Sequence, residues 1–307
     1  MHHSTNIRLG LCCLVLDAPL GFRSTTHAYV TRIGEAAGRT HLDAIARHNA
    51  DTLVEILRYC ESLGIRAFRI ASQLFPLATH PVSGYALEDL PSVGYIREAL
   101  ERARDLARNA DIRLSFHPDQ FIVLNSVRPE VVASSVGELE WQAEMAELLG
   151  ADVICLHGGG MTGGVDAAAE RLIAGIEMLS TRARSRLAIE NDDRCFAPDA
   201  LLPVSLATGV PFVLDAHHYR VVPGVLSLEE ATDLAVASWG DREPYFHISS
   251  PKVPWGVGDP RPHADFIDPN DLPDYWLEIG LPLTIDIEAK AKERAVLRLR
   301  EDLARGI

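Results

Sequence analysis

Nowhere in the 307 residues is there a run of 18 apolar residues, so a membrane-spanning helix is excluded. The opening stretch MHHSTNIRLG lacks the apolar core of a signal peptide, and the cytoplasm is therefore the expected compartment. Cysteine is scarce. Cys12, Cys13, Cys60, Cys155 and Cys195 make an odd count of five with no C-x-x-C spacing, which argues against a disulfide framework or a structural zinc site and for buried core thiols. Positive charge is also in deficit: 29 Lys and Arg against 43 Asp and Glu leave a formal charge of −14. That excludes an indiscriminate, tight binder of the phosphate backbone but leaves room for a local site. Neither a G-x-x-x-x-G-K-[ST] loop nor a Ser-His-Asp motif is visible, so two common routes to hydrolysis lack their signatures.

What is present has the balance of a globular chain, with 47% hydrophobic and 23% charged residues. Short β-rich runs alternate with amphipathic helical segments throughout. The runs are IRLGLCCLV, AFRIAS, IRLSFH, DVICLH, RLAIEN, PFVLDAH, PYFHISS and PLTIDIEA. Between them lie segments such as LDAIARHNADTLVEILRYCESLG, VGYIREALERARDLARNA and PEVVASSVGELEWQAEMAELLGA, which carry helical periodicity and, in part, Gly-containing or polar stops. Eight strand–helix units in a chain of this length predict a single α/β domain over residues 1–307, a TIM (β/α)8 barrel, with residues 1–6 as a flexible N-terminal tail. The segments after the second and seventh runs, QLFPLATHPVSGYALEDLPS and PKVPWGVGDPRPHADFIDPNDLP, are long and Pro-rich, as functional loops in compact domains are.

The run RLAIENDD raises a question, because an apolar strand ends in Glu190, Asn191, Asp192 and Asp193. A solvated loop would explain one such ending. Six strands, however, finish on an imidazole or a carboxylate: His117, His157, Glu190, Asp215 with His217 and His218 just beyond, His247, and Glu288. In a TIM barrel the C-terminal strand ends converge on the active site. Buried carboxylates brought together this way repel one another unless cations compensate them. A mixed set of His and carboxylate donors suits Zn, Mn or Fe.

Taken in order, the motifs FHPDQFIVLNS, CLHGGG, AIENDDR, DAHHYRVVPG, HISSP, RPHADFIDP and DIEAKAKE resemble those of the UV-damage endonucleases, relatives of endonuclease IV, from about Ile7 to about Leu303. The resemblance implies a TIM barrel holding two or three divalent ions, most often Mn2+, with Zn2+, Mg2+ or Co2+ as alternatives. It implies cleavage of damaged double-stranded DNA immediately 5′ to a lesion such as a pyrimidine dimer, leaving a 3′-hydroxyl and a 5′-phosphate. Carried over by position, the metal ligands are His117, His157, Glu190, Asp215, His218, His247, His263 and Glu288. Glu190 resembles the carboxylate that bridges two ions, and Glu190, His247 and Glu288 are the expected catalytic core.

Gln120 and Phe121 in HPDQF resemble the pair that the family inserts into the duplex beside the damage; the plain alternative for Phe121 is packing of a short loop. Asn125, Arg220, Lys252 and Arg261 are further expected DNA contacts, within a basic rim that also includes Arg128, Arg194, Lys290 and Lys292. Two positions depart from the family pattern. Tyr245 stands where many members carry a lysine two residues before the strand-seven histidine, and Leu11 stands where some carry a tyrosine. A monomer without membrane association is expected. The rival from another class is a divalent-metal sugar isomerase or epimerase of the xylose-isomerase kind, whose barrel also gathers Glu, Asp and His at strand ends.

Overall fold

The computed structural model describes residues 7–306. The segment expected to be a flexible tail, residues 1–6, lies outside the described residues. Eight parallel strands are present: β1 (Ile7–Cys12), β2 (Ala67–Ile70), β3 (Arg113–Phe116), β4 (Val153–His157), β5 (Leu187–Glu190), β6 (Phe212–Val213), β7 (Tyr245–Ile248) and β8 (Leu283–Ile287). From β1 to β6 each strand pairs with the next, β7 pairs with β8, and β8 pairs with β1. Between β6 and β7 the ring closes through a parallel bridge of Asp215 with His247, where the His247 amide donates to Leu214 O at 3.1 Å. The closing seam of the TIM barrel thus runs through two of the expected ligands.

Local signals set the crossovers. The helices Glu35–Leu63 and Pro129–Leu149 end on Gly64 and Gly150, whose φ values of 66° and 73° are left-handed and cheap only for glycine. Pro129 and Pro198 open their helices at the first turn, where a missing N–H costs nothing.

The run PFVLDAH is the one strand that departs from expectation. It is strand only at Phe212–Val213; Asp215 then caps a short helix, Ala216–Val221, by accepting the His218 amide at 2.7 Å. A carboxylate that satisfies an orphan amide at a helix start outweighs the β propensity of the run. The turn also swings His217 and His218 onto the same helix, not along a strand.

Alternation along the strands sorts the side chains into two layers. Leu11, Phe68, Phe116, Leu156, Ile189, Phe246 and Ile287 join the large core between sheet and helices. The alternate positions face the lumen, where Val153, Cys155, Ala188, Val213 and Tyr245 form a separate cluster floored by Trp239. Two residues further along each strand the lumen turns polar, and that polar layer is the site.

Candidate metal centre

Glu190 occupies the middle of the polar layer and is fully buried. Its Oε2 lies 3.0 Å from Nε2 of His117 and 3.2 Å from Nε2 of His157. Its Oε1 lies 2.9 Å from Nδ1 of His247 and 3.4 Å from Nδ1 of His218. Strand registry explains the arrangement: His157 pairs with Glu190 across β4 and β5, and Asp215 bridges to His247 across the closing seam. The remaining expected ligands adjoin this core. Asp215 Oδ2 is 3.5 Å from His218 Nδ1, and Glu288 places Oε1 3.6 Å from His247 Nδ1 and Oε2 3.7 Å from His263 Nδ1. His263 arrives from the β7–β8 loop, where it bridges Pro251.

The electrostatics follow from burial and pairing. Burial alone would raise the Glu190 carboxyl, but the charges of His247 and His157 and hydrogen bonds from His117 and His157 hold it well below the usual carboxylate range. Glu288 is held low against the same burial by the Arg69 guanidinium, then by His247 and His263. For His247, burial opposes protonation, yet Glu190 and Glu288 raise it to about 9. His218 rises well above its ordinary value because Asp215 and Glu190 outweigh its burial, and His157 rises for Glu190. His117 moves the other way, because burial outweighs its bond to Glu190. Buried carboxylates held low by neighbouring imidazoles that they in turn raise are a place where divalent ions can replace protons.

Side chains with spare donor capacity test that fit. Asp215 Oδ2 and His247 Nε2 are buried with no hydrogen-bond partner among the described residues. The donor atoms fall into two groups that share Glu190, one with His117, Cys155 and His247, the other with His157 and His218, each within 4.8 Å. The chemistry of these residues fits divalent-metal binding: the two donor groups would hold the metal, with Asp215, His263 and Glu288 alongside.

Four lumen or near-lumen residues were not singled out as functional from sequence. Cys155 is buried as expected of a core thiol, but it lies in the centre and donates to Glu190 Oε2 at 3.2 Å. Burial and the charge of Glu190 push its thiol well up, so it is a neutral donor. Asp286 and Arg69 form a second buried pair beneath Glu288, with Arg69 Nε 3.8 Å from Asp286 Oδ2 and Arg69 Nη1 bonded to Glu288. Gly10 makes room for Asp286, whose Oδ1 would lie 2.1 Å from any Cβ there. His217 is fully buried, and neither ring nitrogen has a partner among the described residues.

Tyr245, at the position of the family lysine, is a lumen phenol. It shares a 2.8 Å hydrogen bond with Ser115 Oγ and donates to Asp286, and burial with the Asp286 charge keeps it neutral. Leu11 is fully buried in the core, so it offers nothing to a substrate.

Among the expected DNA contacts, Phe121 is 69% exposed, which rules out packing as its role, and Gln120 beside it is exposed. Asn125 is turned inward. It is 2% exposed, and its amide is engaged by Gly160, donating to the carbonyl at 2.8 Å and accepting the amide at 3.2 Å, so it ties two loops together. Arg220 and Arg261 are engaged with Asp271 and Asp259 at 3.0 and 2.8 Å. Arg128, Arg194, Lys252 and Lys290 are exposed, whereas Lys292 is half-buried at the start of the last helix.

Fold and site together define a TIM barrel with a buried cluster of His and carboxylate side chains at the C-terminal ends of its strands. Residues 7–307 match the sequence profile described as UV-endonuclease UvdE, and the chain belongs to that family. It is 34% identical to a UV DNA damage endonuclease of Deinococcus radiodurans over 308 aligned residues, covering 95% of this chain and 94% of that relative. The crystal structure of SacUVDE superposes with a TM-score of 0.85 at 27% identity, covering 97% of this chain and 98% of the other. Endonuclease IV from Thermus thermophilus shares the fold, with a TM-score of 0.62 at 17% identity over 97% of this chain and 99% of the other. Among the described residues no helix is long and apolar enough to cross a membrane.

Proposed function

We propose that this enzyme is a divalent-metal-dependent DNA-repair endonuclease that hydrolyses the phosphodiester bond immediately 5′ to a UV lesion such as a pyrimidine dimer, leaving a 3′-hydroxyl and a 5′-phosphate. The observation that carries the reading is the division of the two Glu190 oxygens between His117 and His157 on one side and His247 and His218 on the other. Two or three divalent ions held by His117, His157, Glu190, Asp215, His218, His247, His263 and Glu288, Mn2+ foremost, would neutralise the phosphoryl oxygens, lower the pKa of the attacking water and stabilise the departing alkoxide.

The chain's own residues do the rest. Glu190 fixes the spacing of the two donor groups, and His247 and Glu288, 3.6 Å apart, complete the catalytic core by holding the metal against the scissile phosphate. Gln120 and Phe121, beyond His117 on the same loop, stand clear of the core and reach the duplex. Unstacking costs least where pairing is already damaged, which makes that loop a source of lesion selectivity. The exposed Arg128, Arg194, Lys252 and Lys290 give a negatively charged protein a local phosphate-binding rim. A sugar isomerase needs neither the exposed Phe121 nor that rim.

The test is direct. Metal-stripped protein reloaded with Mn2+ is incubated with a duplex carrying one defined pyrimidine dimer, and the ends of the cut strand are mapped. A single cut 5′ to the dimer with 3′-hydroxyl and 5′-phosphate ends is expected. No cut, or a cut indifferent to the dimer, overturns the reading.

A further inference from the structure

Trp255 is held at the mouth of the barrel with its ring open to solvent. It lies in a tight turn in which the Val257 amide donates to Pro254 O at 3.0 Å and Gly256 takes φ 80°, the positive value that the third residue of a type II turn requires. Its indole N–H donates to Asp271 Oδ1 at 2.9 Å, and Arg220 Nη1 donates to the same oxygen at 3.0 Å. The Arg220 guanidinium stands 5.9 Å from the ring centroid. On its inner side Trp255 neighbours His217 at 5.3 Å between centroids, and His217 neighbours the candidate ligand His263 at 5.4 Å.

Of the four tryptophans, Trp239 and Trp276 are 3% and 1% exposed and Trp141 packs against the core, whereas Trp255 is 38% exposed. A ring whose polar edge is satisfied, whose backbone is locked and whose surface still faces water is prepared for a flat apolar partner. Such an aromatic loses little conformational freedom when it binds.

Position specifies the partner. Phe121 follows β3 and Trp255 follows β7, four strands apart in a ring of eight, so the two aromatics flank the centre from opposite sides of the mouth. We propose that Trp255 stacks on a nucleobase of the bound duplex, across the metal centre from Phe121. The inference rests on the reading of DNA as substrate and adds a second contact that holds the strand beside the scissile phosphate. Stacking on an aromatic is sequence-tolerant, because every base has a π face, and this suits an enzyme that must act wherever damage falls.

The experiment uses Mn2+-loaded protein and a duplex with a non-hydrolysable linkage 5′ to one thymine dimer. Tryptophan emission is followed during titration for the parent and for Trp255→Phe, whose difference isolates Trp255, and Kd is measured for both and for Trp255→Ala. Quenching of the difference emission at saturation is expected, with Trp255→Ala weakening binding by roughly 5- to 150-fold. Trp255→Phe keeps most of the affinity because it keeps a ring. Manganese content and thermal midpoint, read on the same samples, are expected to stay at the parent's values. Parental affinity in Trp255→Ala, or an unchanged difference emission at saturation, overturns the inference while leaving a lesion-cutting parent intact. A parent that cannot bind the damaged duplex removes the functional reading as well.

Discussion

Oε1 of Glu190 lies 2.9 Å from Nδ1 of His247, with both side chains fully buried in the barrel lumen. A carboxylate so placed, and facing two further imidazoles through its other oxygen, is the hub of the centre. Glu190→Gln keeps the size and removes the charge. Metal affinity and cleavage should fall by at least about 100-fold, the upper end of what losing even a supporting partner of a ligand costs. Bound manganese, end-labelled cleavage and circular dichroism check it; near-parental cutting at saturating Mn2+ would remove the bridging role.

The same pair sets a pH signature for the metal-free protein. His247 faces Glu190 and Glu288 and is raised to about 9, above an unfolded value near 6.5. Its contribution to stability is therefore fully present below about pH 6.5 and is lost as pH climbs through about 9. His218 and His157 are raised as well and act in the same direction. In EDTA the thermal midpoint should decline across that window, whereas with Mn2+ it should hold or rise, because metal binding must displace those protons. A midpoint in EDTA that rises from neutral to alkaline pH contradicts the protonated centre.

Tyr245 is bonded within the lumen and is expected to support it, not to bind metal. Its hydroxyl serves Asp286, whose other oxygen has no partner among the described residues. Tyr245→Phe should cost about 1–3 kcal/mol of stability, the penalty for a buried group left short of a hydrogen bond. Manganese content should not change. Denaturant unfolding and metal analysis separate the two effects, and a loss of one ion per chain would make the phenol a ligand after all.

The strand ends were legible because a parallel barrel must bury both faces of its strands, so each run reads as apolar until the chemistry begins. The layer beneath was legible in principle as well. Cys155, Tyr245 and Asp286 each lie two residues before His157, His247 and Glu288, so each faces the lumen as its partner does. Arg69 carried no such signal, since nothing on β2 marks a ligand to count back from. The early end of β6 was not legible because β-branched and aromatic residues in PFVLDAH argue for a longer strand, while the capping bond of Asp215 to His218 is visible only once the chain turns. Asn125 and Trp255 depend on loop geometry: one amide is closed on Gly160, and one indole is pinned on Asp271.

Charge at the rim predicts a salt dependence. Log Kd should rise with log salt at a slope of about 0.9 per phosphate contact. Lys252→Gln, at an exposed cation, should flatten that slope by about one contact and weaken damaged and undamaged duplexes alike. Arg261→Gln should do less, because its guanidinium is already paired with Asp259. An affinity independent of salt would leave the rim without a role.

Damage selection should be separable from chemistry. Gln120 and Phe121 follow His117 on one loop, yet His117 points into the lumen at Glu190 while Phe121 is 69% exposed. One loop thus carries the proposed ligand at its base and the proposed probe at its tip, and trimming the tip should leave the base in place. Gln120→Ala with Phe121→Ala should keep bound manganese and the thermal midpoint, because neither side chain is buried. Discrimination for a dimer-containing duplex should fall by at least about five-fold, since an aromatic stacking contact is worth roughly 1–3 kcal/mol. Cleavage of matched damaged and undamaged duplexes is measured with metal content on the same preparations. If the double variant discriminates as the parent does, the probe lies in another loop, and the exposed Phe121 must be explained by something other than lesion recognition.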